Sequence, residues 1–471
     1  MRKFSLTMAL LVMSVCYSFA QQAKYVFYFI GDGMGVNQVQ GTELYQAELQ
    51  NRIGIVPLQF TQFPCVTMAT TYSATNGVTD SAASGTALAT GNKTKNGTLG
   101  MLKDWETSVN SVAVWAKDAG RRVGIATSVS VDHATPAAFY AHVTKRKYYH
   151  QIGKDLYKAG FDFYAGSDFR QPTDKDDPNS ENLYELADKN GYVIARGYKD
   201  YLKKSKKAEK MILFQSEKAS EKDRTSIPYA IDRKKGDLTL QEITRSAINF
   251  MSKDLDKGFF LMIEGGKIDW ACHSNDAATV FHEIQDFDNA IKIAYEFYSQ
   301  HPDETLIVIT ADHETGGFVL GTGAYKLNLQ ALKNQQVSEE GFTSIVKGLR
   351  AKYKNQVPWK VIKESLTENF GFWEALELTE EQEQRLEKVY NETFSNSKVD
   401  MTKSEYANNE PIATEAKRII SEIALIGWTS GGHSAGYVPV CAVGAGSELF
   451  HGRMDNAEIP VRIAEAAGYT H

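Results

Sequence analysis

A chain of 471 residues, 42% hydrophobic and 23% charged, has the composition of an ordinary globular protein, and its length suits one large α/β domain or about two or three smaller ones. Its net charge of -6 lacks the basic surplus of a nucleic-acid binder, so DNA and RNA are not expected partners. No collagen-like triplet period and no self-similar unit of about 20–50 residues is present, which excludes fibrous and solenoid architectures.

Residues 1–20 read as a signal peptide: Arg2 and Lys3 are basic, Phe4 to Val15 is apolar, and Ser18-Phe19-Ala20 is a small-x-small cleavage site. About 12 apolar residues fall short of the ~20 that a spanning helix takes, so no stable membrane span is expected. The mature chain, starting near Gln21, is expected to be exported to the periplasm or secreted. Cys16 also suits a lipoprotein signal, against which stands the bulky Val15 before it. Export permits disulfides, but the remaining Cys65, Cys272 and Cys441 allow at most one, and their spacing selects none.

Tyr25 to Ile30 is the first of several apolar runs that lack the polar alternation of half-exposed strands and so read as fully buried ones. Val123 to Thr127, Met211 to Phe214, Phe259 to Ile263, Leu306 to Thr310 and Val438 to Val443 are of the same kind. Helical patterns lie between them. Leu240 to Leu255 carries Ile243, Ala247, Ile248 and Met251 on one stripe, and another helix runs from Asp276 to about Ser299. The Lys-rich stretch from Lys199 to Lys210 reads as a solvated face. This alternation predicts a three-layer α/β sandwich with a mostly parallel central sheet flanked by helices. From about 325 to 424 strand-like runs vanish and charged helical segments such as Thr379 to Tyr390 take over, which predicts a mainly helical insertion in a single domain of residues 21–471.

In open α/β sheets ligands bind at the carboxyl ends of the strands, so the residues after each predicted strand carry the chemistry. The first strand is followed by Gly31-Asp32-Gly33-Met34-Gly35, and the second leads to Asp132-His133-Ala134-Thr135-Pro136. Phe259 to Ile263 leads to Glu264, Asp269, Trp270 and His273, and Leu306 to Thr310 to Asp312-His313. Gly431-Gly432-His433 stands just before the last strand. Alone, each piece reads as a turn or a surface pair. Asp269 and His273, spaced i,i+4, share one face of a helical turn; Asp312 and His313 converge only on an irregular loop; the glycines give His433 backbone freedom. Together they gather carboxylates and histidines without thiolates at one sheet edge, which favours Zn2+, with Mg2+ at an all-oxygen site. Ser81, in Thr79-Asp80-Ser81-Ala82-Ala83-Ser84-Gly85, stands at a predicted helix start. Plain N-capping explains it, as does a nucleophile held where helix N–H groups favour a phosphate.

These motifs, with Thr135-Pro136-Ala137-Ala138 and Thr310-Ala311-Asp312-His313, resemble those of the metal-dependent alkaline phosphatases, over about Tyr25 to Leu320 and again from Trp428 onward. The resemblance implies hydrolysis of small-molecule phosphate monoesters, with Ser81 the nucleophile that becomes phosphoserine and Arg146 the clamp on the phosphate. It implies one zinc held by Asp269, His273 and His433, and a second by Asp32, Asp312 and His313. A third ion, usually Mg2+, would use Asp32, Thr135 and Glu264. Two positions depart from the best-known bacterial pattern: His133 stands where that pattern has Asp, and Trp270 where it has Lys. His133 is then expected to touch water on the third ion, and Trp270 to remove a positive charge near the phosphate. In the family, insertions like that at 325–424 cover the site or shape a dimer interface, so a homodimer is compatible with the chain. Two other readings are a phosphodiesterase or sulfatase of the same superfamily and a non-catalytic metal-binding exported protein. Ala82-Ala83-Ser84 after Ser81 departs from the C/S-x-P-x-R of sulfatases, Arg146 speaks against a diesterase, and the intact ligand set speaks against lost catalysis.

Overall fold

A computed structural model describes residues 22–323, 325–394 and 399–471, so the expected signal peptide, Cys16 included, lies outside the described residues. The centre is a ten-stranded sheet. In chain order its strands are β1 (Tyr25–Ile30), β2 (Cys65–Thr70), β3 (Arg122–Thr127), β4 (Phe163–Gly166), β5 (Tyr192–Arg196), β6 (Lys210–Phe214), β7 (Phe259–Glu264), β8 (Thr305–Thr310), β9 (Val438–Gly444) and β10 (Met454–Asp455). Across the sheet they lie in the order β10-β2-β9-β8-β1-β7-β3-β4-β6-β5. Only β9 runs against the rest. The architecture is the predicted one, a mostly parallel sheet flanked by helices.

Every residue of β1, β3, β7 and β8 is buried, as a sheet covered on both faces demands. All six predicted strands are present. The four not predicted lack a long apolar run: β2 alternates in exposure, β4 has 4 residues, β5 closes one edge, and β10 has 2. The register decides where the site lies. Ile30 pairs with Glu264 on one side and Thr310 on the other, and Thr127 pairs with Glu264. Strands β8, β1, β7 and β3 therefore end level, and the loops that leave them emerge side by side. Because β9 is antiparallel to β8, the segment before it reaches the same edge from the opposite direction.

The helix from Leu240 ends at Met251, with one 3-10 turn over Ser252–Asp254 beyond it, and buries Ile243, Ala247, Ile248 and Met251 as its stripe predicts. Its start is fixed by a capping box between Thr239 and Glu242. Ala277–Gln300 is a 24-residue helix capped by Asp276. Beyond β8 the chain forms helices at Glu339–Lys352, Trp359–Phe370, Glu380–Phe394 and Pro411–Ile423. An antiparallel pair, Phe318–Leu320 against Ile426–Trp428, brings the two ends of this stretch together. Its buried Phe342, Leu366 and Ile420 belong to the same apolar cluster as the sheet. Cys65, Cys272 and Cys441 are all unpaired. Among the described residues no helix is long and apolar enough to cross a membrane.

Candidate metal and phosphate site

The loop after β1 turns sharply at Gly33, whose φ of +72° is left-handed. A Cβ there would lie 2.8 Å from the Asp269 Cα, so only glycine lets the Asp32 turn approach the helix Lys267–His273 this closely. Gly33 N–H donates to Asp312 Oδ1 at 3.1 Å, tying the turn to the loop after β8. Asp32, Asp312 and His313 meet there, all fully buried, with His313 Nε2 3.5 Å from Asp32 Oδ1 and 3.3 Å from Asp312 Oδ2. Asp312 and His313 lie on an irregular loop between β8 and the two-residue strand Glu314–Thr315, as their adjacency requires.

Beside this group stands a second. Asp269 and His273 occupy one face of their short helix, 3.3 Å apart, and His433 Nε2 lies 3.1 Å from His273 Nε2. His433 is positioned by pairing with Thr315 in a two-stranded antiparallel ladder. Neither Gly431 nor Gly432 has a positive φ, so it is this ladder, and not glycine freedom, that brings His433 in. In all three histidines the outer nitrogen is occupied: Nδ1 of His273 meets Gly431 O at 2.6 Å, and that of His433 meets Thr79 O at 2.8 Å. Thr315 Oγ1 donates to Asp269 Oδ1 at 2.6 Å, so at 3.2 Å it accepts from His313 Nδ1. With Nδ1 engaged outward, Nε2 is the nitrogen that each ring turns inward, the one a metal would take once it is deprotonated.

A third group joins Asp32 and Glu264 with a ring nitrogen of His133, their ligating atoms within 4.8 Å of one another. Arg146 Nη2 donates to His133 Nε2 at 3.2 Å, which leaves the His133 proton on Nδ1. That tautomer makes His133 a donor toward the group. The Thr135 hydroxyl, Asp32 Oδ1 and Oδ2, Glu264 Oε1, Asp269 Oδ2, Asp312 Oδ2 and His133 Nδ1 are buried without a hydrogen-bond partner. Buried carboxylate oxygens are rarely left so, and this donor set fits divalent cations.

The electrostatics agree. Burial, then Asp312, Asp269 and Glu264, push Asp32 well above the usual carboxylate range. Burial raises Glu264 to about 8 and Asp312 to about 7, with neighbouring carboxylates adding to both. Burial also opposes ionisation of Asp269, but His273, His433 and His313 around it hold its carboxyl well below the ordinary value. His273 is lifted to about 9, because Asp269 outweighs its burial. The space between these groups favours positive charge.

Ser81 is the first residue of the helix Ser81–Thr90, and the Asp80 side chain caps that helix by accepting from Ala83 N–H. Ser81 is fully buried, with Oγ 3.3 Å from His313 Nε2. Asp80 also accepts from Gly97 N–H, and its Oδ2 lies 3.3 Å from Arg146 Nη1. The capping carboxylate thus holds the guanidinium toward the helix start. A cavity of about 550 Å3 opens here, lined by Asp80, Arg146, Arg170, His273, Tyr406 and His433 among others.

Every residue singled out in the sequence is brought to this one edge. The sequence does not disclose three further groups. Tyr406, from the stretch after β8, stacks on Trp270 at 4.4 Å and 11° and reaches Arg146 Nη2 at 3.5 Å. Arg170 follows β4, a strand without a sequence signal, and Thr315 is an ordinary strand residue. Trp270 is buried, and the Lys267 ammonium sits 4.7 Å from its ring, so a positive charge does lie behind the indole.

The family model described as alkaline phosphatase matches residues 23–169 and 162–469. Alkaline phosphatase 3 of Bacillus subtilis (strain 168) is 31% identical over 466 residues, covering 95% of this chain and 90% of that one. The cold-active alkaline phosphatase of a psychrophilic Shewanella sp. superposes with a TM-score of 0.78 at 29% identity, covering 94% of this chain and 99% of that one. A variant of the alkaline phosphatase from the Antarctic bacterium TAB5, with a His replaced by Glu and Mg bound in its M3 site, matches with a TM-score of 0.65 at 25% identity, over 96% of this chain and 100% of that one. With the fold, the three ligand groups and these matches in agreement, the chain belongs to the alkaline phosphatase family.

Proposed function

We propose that the protein is an exported alkaline phosphatase that hydrolyses small phosphate monoesters through a phosphoserine at Ser81. The observation that carries this reading is the placement of Ser81 Oγ: buried at a helix N-terminus, 3.3 Å from His313 Nε2, with Arg146 held at the same cavity. Asp269, His273 and His433 would hold one zinc, Asp32, Asp312 and His313 the second, and Asp32, Thr135 and Glu264 a magnesium with His133 beside it. Bound there, such ions activate a hydroxyl nucleophile and stabilise the attacking and leaving oxygens of a displacement. What supports the third assignment is the buried, unpartnered set of the Thr135 hydroxyl, Asp32 Oδ1 and Oδ2 and Glu264 Oε1.

The chain's own residues supply the rest. The N–H groups at the start of Ser81–Thr90 and the helix dipole favour a phosphate dianion at Ser81. Arg146 presents two donors to the equatorial oxygens, where phosphoryl-transfer transition states carry charge. Ser81 Oγ bonds to phosphorus as the ester oxygen leaves with the alcohol. Water then cleaves the phosphoserine, releasing inorganic phosphate and restoring the hydroxyl. A diesterase fits less well, because Arg146, held by Asp80, suits a terminal phosphoryl group with free oxygens, and a sulfatase fits less well because Ala82-Ala83-Ser84 follows Ser81. Rates on a chromogenic phosphomonoester, the matching diester and the sulfate ester, with and without chelator, test the reading. Metal-dependent turnover of the monoester far above the other two is expected; preference for the diester or the sulfate ester overturns it.

A further inference from the structure

Arg170 lines the same cavity as Arg146, and the sequence gives it no role. Its backbone is fixed: its N–H donates to the buried Asp132 carboxylate at 3.1 and 2.8 Å, one residue before His133. Its side chain lies on the Tyr149 ring, with Cζ 4.9 Å from the centroid. Yet among the described residues no carboxylate is paired with its guanidinium. Asp80 is engaged by Arg146. Asp168 is engaged by Arg196 at 2.6 Å, and Asp132 receives backbone N–H groups. Nη1 of Arg170 is buried and has no hydrogen-bond partner.

A partly buried guanidinium without a counter-ion is costly to keep, and one that lines a binding cavity is offset when an anion enters. The transferred phosphoryl group already has its fork in Arg146. At about 550 Å3 the cavity is much larger than a phosphate, so the alcohol part of the ester lies in it as well. We propose that Arg170 is a second anion-recognition residue, selecting phosphate monoesters whose alcohol carries a further negative group such as a carboxylate. This rests on the phosphatase reading above and adds the substrate class to it.

A matched pair of substrates tests it: phosphoglycolate, which carries a carboxylate, and ethyl phosphate, which has the same carbon skeleton without one. With the metal-loaded enzyme, Arg170→Gln is expected to raise KM for phosphoglycolate about tenfold more than KM for ethyl phosphate, the size of one lost charge-assisted contact. Arg170→Lys should recover part of the loss, which a packing defect would not. Equal losses on both substrates would assign Arg170 to the transferred phosphoryl group, and no change on either would leave it outside recognition; both results overturn the proposal. If the unmodified enzyme hydrolyses neither ester, the phosphatase reading fails first, and the two failures are told apart.

Discussion

The site is made by two regions of opposite character. The loops that leave β8, β1, β7 and β3 are short, start from fully buried strands, and converge because those strands end level. These loops, the last residue of β7 and the short helix Lys267–His273 that follows it supply every candidate ion ligand except His433. The helices from Glu339 to Ile423 bury Phe342 and Leu366, and the segment between the last two of them reaches the cavity through Glu405 and Tyr406. Groups that must be fixed to a fraction of an ångström come from the rigid sheet edge. The ring that covers them, Tyr406, comes from a segment that holds no candidate ligand.

Predictions follow this division. Ser81→Ala attacks the sheet-edge machinery directly and should lower kcat at least ~10³-fold, with the phosphoserine trapped from substrate at acidic pH lost. Label recovered on Ser84 in the unmodified enzyme would break the assignment; Ser84 Oγ donates to Asp312 O at 2.5 Å and is committed elsewhere. Arg146→Ala should weaken inorganic phosphate binding by about 10–100-fold while zinc content stays constant, since Arg146 touches no candidate zinc ligand. Loss of zinc in that variant would erase the distinction between clamp and ligands.

A smaller effect is set by pH. Asp312 at about 7, Glu264 at about 8 and His273 at about 9 all sit above their unfolded values. Above about pH 6.5, where an unfolded His has already lost its proton, the folded chelated protein holds more protons than the unfolded one. Its stability therefore falls as pH rises to about 9. A drop in Tm on the order of 5 °C across that window is expected, and added Zn2+ and Mg2+ should abolish it. A chelated protein that gains stability over the window would contradict the electrostatic account of the ligand groups.

The smallest effects belong to the covering region. Tyr406→Ala removes the stack on Trp270 and should change KM or product inhibition about threefold to tenfold with little effect on kcat. Trp270→Lys should lower the phosphate inhibition constant severalfold by adding charge near the anion. Lys267, already 4.7 Å from the indole, opposes the new ammonium and keeps that gain modest. A large loss of kcat in Tyr406→Ala would mean that the two regions are not separable.

What the sequence disclosed follows the same line. Buried parallel strands announce themselves as unbroken apolar runs, and a carboxylate or histidine just after one needs little further context. So β1, β7 and β8 and their ligands were legible. The half-exposed β2 and the edge strands β5 and β10 bury too little to leave a pattern. Tyr406 and Arg170 were illegible for another reason: each acts through a neighbour far away in sequence, Trp270 for one and Tyr149 with the cavity wall for the other. The ladder that seats His433 opposite Thr315 was hidden too, because a two-residue strand carries no period.

The place of β9 bears on synthesis. Strand β2 pairs only with β9 and β10, although it precedes both by more than 300 residues in the chain. A nascent chain that has emerged as far as β8 can assemble β8-β1-β7-β3-β4-β6-β5, but it leaves the β8 edge open and β2 waiting. It also lacks His433. The candidate ion site is therefore closed by a segment that leaves the ribosome after most of the sheet, and a chain truncated before His433 should emerge without the activity of the whole.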